Sequence, residues 1–385
     1  MSPAAQTAEE GTLLAVPAKS SNRGPGGKLD LRALGRAELS AFVAELGEKP
    51  FRAKQIFRWM HQRGVRSLDE MTDLSKSFRA RLAEVAEVAA TEVSTVEVSR
   101  DGTRKYALRT GRGQIVEAVF IPDASAEGRN TLCISSQVGC AIDCQFCLTA
   151  ALGLIRNLTA GEIAEQLLRV REDLKKAGED REVNNLVMMG MGEPLQNYDA
   201  LVQAIDMLSA EDGGAISARR MTVSTSGLVP RIPRLGKDTK VNLAVSLNAT
   251  TDEVRDQIMP INKRWNIAQL LEACRSFPMP ERRRITFEYV LLAGVNDSED
   301  DARRLVRLLR DLPAKVNLIP FNEHPYSPFA RPSERAIARF QRIVIDRGLT
   351  AFVRTPRGDD ISAACGQLGV TVDGPKRTAL PIVSS

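Results

Sequence analysis

The sequence predicts an α/β protein: a full or partial (β/α) barrel preceded by a helical module and a small β-meander. Three observations carry this. Apolar residues recur at helical spacing from Asp30 to about Glu87, and apolar alternation punctuated by glycine turns fills 88–122. From 131 onward, Val/Ile/Leu-rich runs alternate with capped helical stretches, the pattern of a parallel sheet covered by helices. Six to seven such units suit a barrel better than a long open sheet. In either architecture the chemistry belongs at the C-terminal ends of the strands.

Composition narrows the class. The 385 residues are 43% hydrophobic and 26% charged, as in an ordinary globular protein. No apolar run reaches a membrane span, and the first residues lack the charged-then-apolar order of a secretory signal. A cytoplasmic protein without a membrane partner is therefore expected. Six cysteines, clustered rather than spread in pairs, agree with a reducing compartment. The net charge of +5 does not by itself identify a nucleic-acid binder. Its clustering is more suggestive, in Arg52, Lys54, Arg58, Arg63 and Arg66, in Arg282, Arg283 and Arg284, and in Lys376 and Arg377.

In chain order, 1–28 is rich in Ala, Ser, Gly and Pro and reads as a disordered tail. Over 29–87, Leu39, Phe42, Val43 and Leu46 mark one helix and Ile56, Phe57, Trp59 and Met60 a second that begins at Pro50. Ser67-Leu-Asp-Glu70 reads as a capping box opening a third. This module is either a small bundle with a charged exterior or an RNA-contacting accessory domain. Over 88–125 the turns Asp101-Gly102 and Gly111-Arg-Gly113 join three strands, with Glu117 in the last. The barrel spans 126–366, with strands expected at 131–138, 184–189, 220–225, 241–247, 285–291, 315–320 and 350–354. Thr159-Ala-Gly-Glu162, Asn197 and Ser298-Glu-Asp-Asp301 open helices between them. Residues 367–385 form a C-terminal tail.

The most informative stretch is Cys140-Ala-Ile-Asp-Cys144-Gln-Phe-Cys147, on a strand-to-helix loop. Three thiolates at this spacing can hold three irons of a cubane cluster and leave the fourth open to a small molecule. Zinc is the plainer alternative, with Cys133 as a fourth ligand, since His61 and His324 are remote in sequence. A redox dithiol would leave one cysteine unexplained. The second strand runs into Gly190-Met-Gly192-Glu193-Pro194, where glycines allow close backbone approach to a ligand. Ser224-Thr-Ser-Gly227, Ser246-Leu-Asn248 and Asn317-Leu-Ile-Pro-Phe-Asn322 end later strands with short polar side chains. Cys365, after the last strand, and Cys133, on the first, suggest a covalent methyl carrier and its resolving partner on two sides of one cavity. Cys274, on an amphipathic helix, reads as core.

Together with Pro260-Ile-Asn-Lys263 and Arg357-Gly-Asp-Asp-Ile-Ser-Ala-Ala-Cys365-Gly-Gln-Leu, these motifs resemble the RlmN-type radical S-adenosylmethionine (SAM) methyltransferases over roughly 30–380. The resemblance implies a partial, TIM-like radical SAM barrel and an N-terminal RNA-binding domain. It implies methylation of carbon 2 of an adenine in the peptidyl-transferase loop of 23S rRNA and, in some members, of an adenine in the tRNA anticodon loop. Carried over by motif, Cys140, Cys144 and Cys147 hold a [4Fe-4S] cluster. Gly192, Glu193, Ser224, Ser246, Leu247, Asn248 and Asn322 contact SAM, of which two are used per turnover, one as methyl donor and one as radical source. Cys365 carries the methyl group, Glu117 removes the ring proton, and Cys133 resolves the adduct as a disulfide. An electron donor such as flavodoxin or ferredoxin is implied as a partner. Asn248 departs from the histidine that family members often carry there. Cfr-type enzymes, which use the same cysteines on carbon 8 of the same adenine, are the alternative.

Overall fold

The computed structural model describes residues 22–369 apart from 124, 126, 127 and 281. The parts of the expected tails at 1–21 and 370–385, with Lys376 and Arg377, lie outside the described residues. Helices α1 (Arg36–Glu45), α2 (Phe51–His61) and α3 (Lys76–Val85) form the N-terminal bundle. Leu39, Val43, Ile56, Phe57, Met60 and Phe78 fill its core at no more than 2% exposure. The short parallel pair β1 (Leu29–Asp30) and β2 (Ala86–Glu87) ties its two ends together. Ser67 does not open the third helix, contrary to expectation. Its capping box with Glu70 closes a single 3-10 turn, and α3 begins at Lys76, where Ser75 Oγ accepts from Phe78 N at 3.2 Å. Met71 and Leu74, both buried, anchor the intervening turns in the core.

The meander is β3 (Glu92–Val98), β4 (Arg104–Arg109) and β5 (Ile115–Ile121). It does not stand apart, because β5 pairs antiparallel with β6 (Thr131–Cys133), the first strand of the barrel. The run expected as one strand over 131–138 is broken. After Cys133 the chain leaves the sheet, with Ser136 N and Gln137 N both donating to Met191 O. It resumes as β7 (Gln137–Gly139), which pairs with β8 (Leu154–Asn157) in a separate two-stranded sheet.

The remaining strands are β9 (Asn185–Met188), β10 (Met221–Thr225), β11 (Asn242–Ser246), β12 (Ile285–Leu291), β13 (Ala314–Pro320) and β14 (Ala351–Val353). They join the others in the order β14-β13-β12-β11-β10-β9-β6-β5-β4-β3, parallel from β6 to β14. β14 pairs only with β13, so the parallel strands form a partial barrel. Helices α4 (Leu148–Ala151), α5 (Ala160–Lys176), α6 (Tyr198–Ser209), α7 (Arg231–Asp238), α8 (Asp252–Ile258), α9 (Ile267–Arg275), α10 (Glu299–Leu309) and α11 (Glu334–Asp346) follow in the crossovers. The capping boxes at Thr159 and Ser298 open α5 and α10 as expected, and Asn197 precedes α6. Alternation then sorts the strand residues. Phe287, Tyr289 and Val316 are fully buried in the core, whereas Ser246, Glu288 and Asn317, side by side in register, face the barrel interior. Cys274 is core, at 2% exposure.

Candidate active site

A cavity of about 150 Å³ opens at the C-terminal ends of the parallel strands. Ten of the residues singled out from sequence line it: Cys140, Cys144, Cys147, Gly192, Glu193, Ser224, Ser246, Asn248, Asn322 and Cys365. A smaller adjoining cavity, about 30 Å³, is lined by Cys133 and Cys365 together with Asn322 and Arg354. The two cysteines from opposite ends of the barrel therefore meet at one wall.

The cysteine loop is set by backbone hydrogen bonds, two near in sequence and one to the end of α8. Cys140 N donates to Gly153 O at 2.9 Å, Cys147 N to Cys144 O at 3.1 Å, and Gln145 N to Ile258 O at 3.0 Å. Asp143 turns the chain in the left-handed region. Burial, before any other cause, pushes the thiols of Cys140, Cys144 and Cys147 above the ordinary thiol range. Among the described residues, no three His, Cys, Asp or Glu side chains converge closely enough to hold a single metal ion.

The other walls are braced from below. Gly192, at φ 101°, could not be replaced without strain, because a Cβ there would meet Gln137 Cβ at 2.5 Å. Both oxygens of the Glu193 carboxylate accept backbone hydrogen bonds, with the Thr225 and Ser226 side chains adding to them. The carboxylate accepts from Ser226 N at 2.7 Å and Leu195 N at 3.0 Å, joining the β9 and β10 loops, while burial raises its pKa. Asn248 takes a left-handed φ of 56°, accepts from Val290 N at 2.8 Å and donates to Met259 Sδ at 3.2 Å. Its amide braces β11 against β12, a task that needs no titrating group. Asn322 Nδ2 donates to Cys365 O at 3.2 Å.

Two predicted residues line neither cavity. The Leu247 side chain is fully buried, and its backbone is occupied by Glu288 O, Ala249 N and Arg255 Nε. Glu117 is 5% exposed, and its Oε2 accepts from Gly369 N at 2.6 Å. Burial raises its pKa, opposed by the nearby Lys105 charge and the Gly369 hydrogen bond.

Sequence reasoning missed three charged residues. The Arg354 guanidinium lies among Cys365, Glu288 and Cys133, and its pairing with their ionised forms, Cys365 foremost, raises its pKa against the effect of burial. At Cys133 the balance is reversed. Burial pushes the thiol up to about 12, Cys365 adds to this, and Arg354 opposes it. Glu288 lines the larger cavity with a raised pKa due to burial; Asn317 Nδ2 donates to its Oε1 at 3.0 Å, and its Oε2 is buried without a partner. A lone acid within the apolar run Ile285–Leu291 was the available signal. Arg255, fully buried, donates to Leu247 O, Ser226 O, Ser246 O and Asn262 Oδ1 at 2.8–3.1 Å. It explains the Pro260–Lys263 motif, whose Asn262 fixes the arginine that holds the β10 and β11 ends.

Comparison with known proteins agrees with this geometry. Residues 29–88 match the family described as ribosomal RNA large subunit methyltransferase N-terminal domain, and residues 134–306 match the radical SAM superfamily. The dual-specificity RNA methyltransferase RlmN of Anaeromyxobacter dehalogenans is 55% identical over 88% of this chain and 91% of its own. That of Geobacter sulfurreducens is 53% identical over 90% and 94%. The crystal structure of a radical SAM methyltransferase from Sphaerobacter thermophilus superposes with a TM-score of 0.81 at 46% identity, covering 88% of this chain and 98% of that one. The chain belongs to the RlmN family of radical SAM RNA methyltransferases, whose superfamily chemistry uses a [4Fe-4S] cluster and SAM.

Proposed function

We propose that the protein methylates carbon 2 of an adenine in the peptidyl-transferase loop of 23S rRNA, and of an adenine in the tRNA anticodon loop, through a methyl group carried on Cys365. The observation that carries this reading is the placement of Cys133 and Cys365 at one wall, beside the cavity that Cys140, Cys144 and Cys147 line. These three thiols suit a cubane cluster, since each thiolate there takes a different iron and the three need not converge on one point. Their burial agrees with ligation, because a buried thiol gives up its proton when a cation replaces it. When bound at Cys140, Cys144 and Cys147, the cluster with SAM would supply a methyl electrophile and the means to activate an S-methyl group by hydrogen-atom removal.

The remaining steps belong to this chain. Carbon 2 of adenine lies between two nitrogens and is too electron-poor to attack a methyl electrophile, so a sulfur takes the methyl first. Cys365 is that sulfur and then presents the activated carbon to the ring. The adduct must then lose one electron, which the cluster left oxidised by SAM cleavage would accept, and the ring proton, which Glu117 takes; the raised pKa of its carboxyl suits a base. In that role it must first be released by Gly369 N. Cys133, as a thiolate, attacks the Cys365 sulfur; the carbon–sulfur bond breaks, the released carbon takes up a proton to complete the methyl group, and a disulfide is left for an electron donor such as flavodoxin or ferredoxin to reduce. The target adenine is unpaired and extruded, since carbon 2 is hidden in paired RNA.

The test is a single-turnover reaction with methyl-deuterated SAM, reconstituted cluster, reductant and an rRNA fragment, read by nucleoside mass spectrometry. Two deuteriums in 2-methyladenine, and no product from Cys365→Ala, are expected. Three retained deuteriums, or activity in the variant, would remove Cys365 as carrier, and 8-methyladenine would move the reaction to the other ring carbon.

A further inference from the structure

Cys365 sits on a loop, Gly358–Gly369, whose only regular structure is the 3-10 turn Asp359–Ile361. Near the sulfur the loop is tied to the barrel: Leu148 N donates to Gly366 O at 2.8 Å, and Thr149 Oγ1 to Leu368 O at 2.5 Å. Its first half rests on a different part of the molecule, the turn between β3 and β4. There Ser99 Oγ donates to Asp360 Oδ1 at 2.5 Å and Arg100 N to Asp360 Oδ2 at 3.3 Å. Gly358 N donates to Asp101 Oδ2 at 3.2 Å, and Arg357 pairs with the same oxygen at 3.8 Å. Lys105 Nζ donates to Ile361 O at 2.6 Å. Contact is close enough that a Cβ on Gly358 would meet Thr103 Cγ2 at 2.9 Å. Ser362 is held at a left-handed φ of 50°, a conformation that persists in a non-glycine residue only where the surroundings impose it.

We propose that the β3–β4 turn, Ser99 to Lys105, is the seat that positions the Cys365 loop for methyl transfer, with Ser99, Asp101 and Lys105 as positioning residues. The proposal rests on Cys365 being the methyl carrier. A carrier sulfur must be held where it can accept the methyl group and then face the RNA base, and small misplacements are costly in such reactions. Ala363, Ala364 and Leu368 pack the second half of the loop against the core, but the first half, Gly358–Ser362, has only the partly buried Ile361 to do so and samples many placements unless something outside it selects one. The meander supplies that selection through hydrogen bonds to two carboxylates and one backbone carbonyl, which can be broken and remade more readily than a packed apolar contact. Asp101 is well suited to the task. Burial opposes its charge, but hydrogen bonds from Thr103, Gly358 and Ser99 hold its carboxyl down at about 2, so it is ionised at any working pH.

The experiment uses the full-length, cluster-loaded enzyme without RNA. Maleimide labelling of Cys365 is followed by peptide mass spectrometry in the wild type, Asp101→Ala, Asp360→Ala, Ser99→Ala and the Ser99→Ala/Asp360→Ala double variant. Labelling of the buried Cys274 reports on the core, and iron content reports on the cluster. Asp101→Ala and Asp360→Ala should label at Cys365 about tenfold faster, the effect of losing a hydrogen bond to a charged group, with Cys274 and iron unchanged. The double variant should be no faster than Asp360→Ala, because the two residues act through each other. With RNA and reductant, these variants should release more 5′-deoxyadenosine per adenine methylated, and Asp360→Asn should restore much of the coupling. If Asp101→Ala disturbs Cys274, the Asp360 variants decide the matter. Cys365 labelling within twofold of wild type in Asp360→Ala would overturn the seat. Activity in Cys365→Ala would instead overturn the carrier, leaving the labelling result intact, so the two failures are distinguishable.

Discussion

Arg354 shows how much of a site can depend on one side chain that no motif announces. It follows β14, so alternation turns it inward toward the sulfurs of Cys133 and Cys365 and the Glu288 carboxylate. Burial makes the Cys133 thiolate difficult to form, and Arg354 is the nearby cation that opposes this. Arg354→Met should therefore slow the attack of Cys133 by roughly tenfold to a hundredfold, and Arg354→Lys by less. RNA joined to the protein through Cys365, seen as a shifted band on denaturing gels, should accumulate in the Met variant. Equal accumulation in the wild type would count against the assignment. Most other residues of the site were legible because small polar residues and glycines at strand ends have few other reasons to be there. What sequence could not reveal was which partner each one meets. Glu193 and Asn248 stood out as ligand contacts, yet their polar atoms are occupied by Ser226 N, Leu195 N and Val290 N. Leu247 lies between two lining residues and faces the core.

At the scale of elements, the parallel strands and their capped helices were legible because hydrophobic period and capping chemistry are local. Misreadings arose where a distant segment decides. The run 131–138 reads as a single β-type stretch, but the loop after β9 captures its backbone at Ser136 and Gln137 and diverts the second half to β8. Helix α2 has a similar hidden dependence. Its last residue, His61, is 2% exposed, stacks 4.5 Å from Phe57, and leaves both ring nitrogens unpartnered. Burial, then the Arg32 and Arg36 charges, hold its pKa near 3, with Asp212 opposing. The unfolded chain therefore binds a proton between about pH 6.5 and 3 that the folded chain does not. Stability is lost as pH falls through that window, by up to about 1.4 kcal/mol per pH unit. His61→Phe should change the melting temperature little at pH 7 and remove that part of the decline at pH 5. Parallel curves for variant and wild type would show that the ring is not buried neutral.

For the whole molecule, the N-terminal bundle and the barrel are joined by an ionic seam. Glu165 of α5, fully buried, faces Arg32 of the bundle at 3.4 Å and Arg169 of its own helix at 3.6 Å, and accepts from Thr91 N at 2.8 Å. Arg169 continues through Glu172 to Arg66. Each residue looks like ordinary surface charge in the sequence, and only the docking of two modules buries Arg32, Glu165 and Arg169, while Glu172 and Arg66 carry the seam out to the surface. Glu165→Gln leaves the buried Arg32 guanidinium without its anion and Arg169 with Glu172 alone, and should cost about 3 kcal/mol or more in denaturant unfolding. A loss below 1 kcal/mol would mean that water reaches the seam. The open sheet has a final consequence. Cys133 lies on the first parallel strand and Cys365 beyond the last, two strands that never pair. A bond between their sulfurs would act as a clasp across the gap in the barrel, linking the ends of a long stretch of chain and restricting the unfolded state accordingly. An enzyme working in this way would pass between an open and a ring-closed topology with every methyl group delivered. Its reductant would restore the gap in the sheet as well as two thiols.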